Sequence, residues 1–188
     1  MTQISISSLK PADILLSTGD STVSNVIRKG TGSRFSHAAL YIGNGEVIEA
    51  IGSGVVKQSL KSAMNDDTLV VVFRHNTISP SQAATAITYA RAQVGKKYDA
   101  SGAASSASGS PAVILVGFIM GPIGNIVTAS LGVAKVANTI NSEGSFYCSE
   151  LVAHAYAKAN CPLSASKSSI TPKGVANSSK VSLIGNLK

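Results

Sequence analysis

Apolar residues recur along this chain at two spacings. Short alternating or uninterrupted runs mark strands, and runs stepping by three or four residues mark helices. Asp13-Ile14-Leu15-Leu16 predicts a short strand after Pro11. From Ser21 to Lys29, Val23, Val26 and Ile27 fall at helical spacing behind the cap candidates Asp20 and Ser21, and Gly30-Thr31-Gly32-Ser33 ends the helix. Phe35 to Ile42 and Glu46 to Ile51 predict two strands joined by Gly43-Asn44-Gly45, a strong hairpin signal. Leu69 to Phe73 is continuously apolar and predicts a central strand. Ser79-Pro80 opens a helix from about Ser81 to Val94, with Ala83, Ala84, Ile87 and Ala90 on its buried side.

The pattern changes between Asp99 and Glu143, where Lys135 is the single charged residue. Pro111 to Met120 is almost wholly apolar and Gly121-Pro122 interrupts it. That is too short and too broken for a membrane span, and it predicts two apolar helices, about 111–120 and 123–139. They form an insertion, 100–143, with membrane contact through 111–137 as the alternative. A further helix follows. Leu151, Val152, Ala155 and Ala159 lie at helical spacing from Cys148, with Gly144 and Ser145 as the N-cap region. The Ser-rich tail after Cys161 is expected to wrap the surface, with one short strand near Val181 to Ile184.

The chain has 188 residues, 44% of them hydrophobic, which suits one domain, 1–188, with a proper core. The net charge of +7 points to an anionic partner. Its Lys and Arg residues are scattered and not interleaved with aromatics, so nucleic acid is not expected. The two cysteines would lie about 20 Å apart along and beyond a helix, too far for a disulfide. No Cys/His/Asp cluster has zinc spacing, so no metal or cofactor is expected. Met1 to Lys10 shows no secretory signal.

Cys148 opens its helix, where the positive end of the dipole favours a thiolate. A cysteine nucleophile needs a base, and the base an orienter. His154 sits too far along the same helix to serve. His75 ends a strand beside Arg74 and reads as a surface residue. His37 starts a strand straight after a Gly/Ser loop, where site residues are commonly placed. The hairpin supplies a parity test. A three-residue loop with a bulge pairs Ile42 with Glu46 and Ala39 with Glu49, so Glu49 lies diagonally across from His37 on one face. A two-residue turn would send Glu49 to the other face. We therefore expect the bulged loop, with Glu49 orienting the His37 ring.

Together these segments resemble the circularly permuted branch of the NlpC-type papain-like hydrolases. The resemblance rests on Asp13 to Leu16, Val26 to Lys29, Thr31 to His37, Tyr41 to Gly45 and Val47 to Ala50, then on Gly95-Lys96-Lys97-Tyr98-Asp99 and Phe146 to Leu151. His37 precedes Cys148, which is the permuted order. The resemblance implies an α+β, papain-like fold: a central antiparallel sheet packed on helices, with the nucleophile at a helix N-terminus. It implies Cys148 as nucleophile, His37 as general base and Glu49 as the third polar residue. Tyr98 would line the site and bind the oxyanion with the Cys148 N–H, and Ser36 and Tyr147 would line the substrate. The glycine usual before the matching aspartate is Ala12 here, a departure expected to be harmless. The insertion 100–143 has no assigned family role.

The expected reaction is acyl transfer to water through a thioester. The leading substrate is the stem peptide of peptidoglycan, cleaved at an amide. A basic wall hydrolase without a signal suits an antibacterial effector acting in a periplasm or cell wall after non-classical export, with a secretion-system carrier and an immunity protein as partners. A lipid ester or amide hydrolase or acyltransferase of the same fold is the second expectation. A non-catalytic binding module is the third, and the Cys148, His37 and Glu49 set speaks against it.

Overall fold

The computed structural model describes residues 1–20, 24–25, 28–29, 32–99, 145–165 and 170–188. Residues 24–25 and 28–29 are helical, as the pattern predicts, and the rest of the 21–29 helix lies outside the described residues. So do the insertion 100–143 with its two predicted helices, and Gly144.

After a short 3-10 turn, Ile6–Ser8, the strands are β1 (Ile14–Gly19), β2 (His37–Gly43), β3 (Glu46–Ile51) and β4 (Gly54–Ser59). A single helical turn α1 (Leu60–Ala63), β5 (Asp67–His75) and α2 (Pro80–Gln93) follow. Then come β6 (Lys97–Tyr98), β7 (Ser145–Phe146), α3 (Cys148–Lys158), α4 (Pro172–Ala176) and β8 (Val181–Asn186). Six strands form one antiparallel sheet in the order β4-β3-β2-β1-β5-β8. The last two, β6 and β7, pair in parallel.

The central strands are buried on both faces, which is why they read as near-continuous apolar runs. One parity, including Leu16, Ala38, Leu40, Ile48 and Val71, packs against Ala86 and Ala90 of α2 and Leu151, Val152 and Ala155 of α3. The other parity, Leu15, Ala39, Tyr41, Val47, Val70 and Val72, packs with Leu9 and Leu60. Truncating Leu151 to alanine in the first layer would cost about 2–5 kcal/mol. The position of α3 is fixed in its last turn as well. Tyr156 donates its hydroxyl hydrogen bond to the Ala12 carbonyl, and the ring stacks on His75 with centroids 5.6 Å apart.

Several expectations need correction. His75 is not a surface residue: it is buried against Tyr156, and burial, then the charge of Lys180, lowers its pKa. The cap of α3 is Tyr147, because Ser145 is already paired in β7. The buried stripe of α2 is Ala83, Ala86, Ala90 and Gln93, while Ala84 is exposed and Ile87 half-buried. The capping box of Ser79 and Gln82 sets that helix one residue earlier than expected. The tail does more than wrap the surface. Ile170 and Val175 enter the core, Thr171 caps α4, and β8 completes the sheet beside β5.

Candidate active site

The site begins with the β2–β3 hairpin. Asn44 and Gly45 both have positive φ, 53° and 70°, which builds a two-residue primed turn closed by Gly43 opposite Glu46. The closing pair is therefore not Ile42 with Glu46. A bulge between Tyr41 and Gly43 then restores the phase, and Ala39 pairs with Glu49 as expected. Glu49 lies diagonally across from His37, and His37 Nε2 is hydrogen-bonded to Glu49 Oε2. The same diagonal is repeated on the other side. Val56 pairs with Glu49, and Gln58, two residues on, donates from Nε2 to Glu49 Oε1. The carboxylate is buried and held from two strands at once.

Cys148 arrives from the opposite layer as the first residue of α3, buried in the core cluster. His37 is the first residue of β2, so its ring reaches past the end of the strand to the helix. With Nε2 on Glu49, Nδ1 is left to face the Cys148 sulfur, with which the ring is hydrogen-bonded. Backbone N–H groups of Ala38 and Ser149 also donate to that sulfur. The parallel pairing of Tyr98 with Phe146 sets a phenol beside the loop that leads into Cys148. One turn in, Glu150 accepts a hydrogen bond from the Tyr147 N–H at 3.3 Å, and His154 Nε2 lies 3.8 Å from its other oxygen.

The electrostatics follow from these contacts. Burial alone would lower the His37 pKa, but hydrogen bonds to Cys148 and Glu49 and their charges carry it well above its ordinary value. Burial alone would raise the Cys148 pKa, but the His37 hydrogen bond and charge bring it below the usual thiol value. Glu49 is held low by the same logic, with His37 first and Gln58 after it outweighing burial. The arrangement favours a thiolate beside an imidazolium. Tyr98 is pushed well above the ordinary phenol value by burial and then by the charge of Cys148, so it stays protonated as an O–H donor.

The three groups open on a cleft of about 470 Å³. Ser36, His37, Glu49, Gln58, Tyr98 and Cys148 line it. Ser36 accepts a hydrogen bond from the Gly19 N–H at 3.4 Å. Of the sequence-predicted set, Tyr147 does not line the cleft; it is buried behind Cys148. Sequence reading missed Gln58. Its signal was the Gly52-Ser53-Gly54 turn after β3, which makes a second hairpin and places Gln58 on the Glu49 face. Gly54 has φ 119°, and a Cβ there would meet the Lys96 carbonyl oxygen at 2.5 Å, so this turn needs glycine. Both cysteines are free thiols. Among the described residues, none form a group of three or more His, Cys, Asp or Glu able to hold a metal ion.

Known proteins fit this geometry. A family model described as permuted papain-like amidase enzyme, YaeF/YiiX, C92 family, matches residues 8–108, which takes in His37, Glu49 and Tyr98. Over 181 residues the chain is 31% identical to the probable lipoprotein peptidase YaeF of Escherichia coli (strain K12). That match covers 88% of this chain, which spans 62% of the length of the relative. The crystal structure of the metalloprotein YiiX from Escherichia coli O157:H7 has the same fold, with a TM-score of 0.63 at 17% identity. That likeness covers 94% of this chain and 96% of YiiX. The fold is papain-like and permuted, with the histidine strand ahead of the cysteine helix, and the chain belongs to the permuted papain-like amidase family.

Proposed function

We propose that the protein is a cysteine amidase that hydrolyses amide bonds of peptidoglycan stem peptides. One observation carries the reading: Cys148, at the first turn of a helix, is hydrogen-bonded to a histidine whose other ring nitrogen is held by a buried carboxylate. Cys148 is the nucleophile and His37 the base. The thiolate attacks the amide carbonyl, and the leaving amine takes the proton from His37. Water activated by the neutral imidazole then hydrolyses the thioester. Glu49 stabilises the imidazolium, and Tyr98 with the Cys148 N–H receives the oxyanion. Family membership supports amide chemistry, and the net charge of +7 supports an anionic polymer as the surface on which the protein works. An antibacterial role in a periplasm or cell wall, with a secretion carrier and an immunity protein, belongs to the same proposal.

The test is digestion of purified peptidoglycan with wild type and Cys148→Ala, read by mass spectrometry. New fragments from wild type alone are expected, and their masses identify the bond. If folded wild type releases none, the peptidoglycan reading is overturned, and phospholipids and acyl amides become the substrates to assay.

A further inference from the structure

The charge of the cleft opposes the charge of the chain. The protein carries +7, yet among the described residues no Lys or Arg lines the cleft. Asp20, Glu49, Asp66 and Asp67 line it, 4 of the chain's 9 acidic residues. Glu49 is occupied by His37 and Gln58. Among the described residues, the other three are not paired with Lys or Arg at salt-bridge distance. Asp66 accepts from the neutral Asn65 amide, at 2.8 Å. Asp67 feels Lys188 at longer range, but that ammonium is spent on the Met64 and Asn65 carbonyl oxygens at 3.1 and 3.2 Å.

Asp67 also lies within electrostatic reach of both His37 and Glu49. Gly19 borders it in the wall of the cleft: a Cβ at that position would meet Ser24 Oγ at 2.9 Å and lie 3.6 Å from Asp67 Oδ1. Burial pushes the Asp67 pKa up, with Glu49 adding to the rise. A bound ammonium would relieve both effects. The nucleophile supplies an independent reason for a ligand here, because an acyl group reacting with Cys148 must lie in this cleft. Charges of one sign on low-dielectric walls focus the field on that ligand.

We propose that the cleft selects substrates carrying a primary ammonium close to the scissile amide, with Asp67 and Asp66 as the specificity-determining residues. The inference rests on the cysteine-amidase reading and names the substrate class of its site. The basic outer surface gathers the enzyme on an anionic polymer, and the acidic cleft picks the amine-bearing segment of it. A stem peptide with a diamino residue has that chemistry.

The test uses Cys148 as the probe, in a Cys161→Ala background. Aminoethyl and sulfonatoethyl methanethiosulfonate, one cationic and one anionic, each form a mixed disulfide as the thiolate displaces methanesulfinate. Each rate is divided by that for free cysteine. The cationic reagent is expected to react about tenfold faster at low salt, with the preference falling toward one in Asp66→Asn/Asp67→Asn and in high salt. Asp66 is exposed, so Asp66→Asn alone, with the salt series on the unmutated cleft, keeps the test decisive if the double variant fails to fold. A matched pair of amide substrates, one with a free amine and one with that amine acetylated, is hydrolysed in parallel. A reactive, hydrolytic Cys148 that is blind to charge overturns this inference alone. A Cys148 no more reactive than free cysteine, with neither amide cut, overturns the amidase reading beneath it.

Discussion

His37 Nε2 is hydrogen-bonded to Glu49 Oε2, and the bond exists because a bulge between Tyr41 and Gly43 keeps both residues on one face of the hairpin. The pair defines a pH window. The raised pKa of His37 gives stabilisation that is present below its unfolded value near 6.5 and lost as pH rises through the folded value. The lowered pKa values of Glu49 and Cys148 give stabilisation that is lost as pH falls through them. Glu49→Gln should narrow the window from both sides. The acid limb of Cys148 alkylation by iodoacetamide should move up, and the basic limb of amide hydrolysis should move down. Hydrolysis should fall about 10²-fold. Profiles that do not move would remove Glu49 from the site.

Gln58 holds the other oxygen of that carboxylate. Gln58→Leu leaves Oε1 buried without its donor, which should cost about 1–3 kcal/mol, measured by denaturant unfolding. Amide hydrolysis should drop with it. Gln58→Glu should be worse than leucine, because it sets a second carboxylate against the first. Equal stability for all three proteins would show that Gln58 does not hold Glu49.

The two strands of the hairpin and the facing of Glu49 were legible because the apolar pattern and the site residues constrain one register; its turn was not, since a two-residue Asn44-Gly45 turn with the bulge set back to Tyr41–Gly43 stands where a three-residue loop was expected. Cys148 and α3 were legible for a similar reason: the stripe from Leu151 to Ala159 has a single way to face the sheet. What escaped depends on partners far away in the chain. His75 looks like a strand-end surface residue until Tyr156, on a distant helix, stacks on it. Tyr147 shares a motif with Cys148 but turns behind it, because the parallel pairing of β6 with β7 directs Tyr98 to the cleft instead. The acidic cleft was hidden by the total charge, which averages surface and interior.

Ala12 departs from the glycine of the resembled family, and the backbone explains the usual choice. Its φ is 69°, in the left-handed region, while its N–H donates to the Tyr41 carbonyl at 2.8 Å and its own carbonyl accepts from Tyr156. A left-handed alanine costs about 1–2 kcal/mol, part of which a glycine forfeits through its freer unfolded chain. Ala12→Gly should therefore stabilise the fold by about 0.5–1 kcal/mol, seen as a rise of a few degrees in Tm. A lower Tm would mean that the methyl packing in the core outweighs the backbone strain.

Glu150 sits two residues beyond the candidate nucleophile, and burial, with the charge of Asp99 adding to it, raises its pKa to about 7 despite the Tyr147 N–H. A carboxyl raised by folding binds a proton in the native state that the unfolded chain has released. Its stabilisation is present below the unfolded value near 4.5 and is lost as pH rises toward 7. A rise of that size corresponds to at most about 3 kcal/mol across that interval, and solvent screening of the partly buried carboxyl reduces it. Glu150→Gln keeps an acceptor for the Tyr147 N–H and removes the titration. Unfolding free energy of the wild type should fall between pH 4.5 and 7 more steeply than that of the variant, with the two curves parallel above pH 8. His154, 3.8 Å away, is retained in both proteins. Parallel curves throughout would mean that Glu150 is ionised across the whole range, and that the negative charge behind Cys148 is permanent rather than pH-dependent.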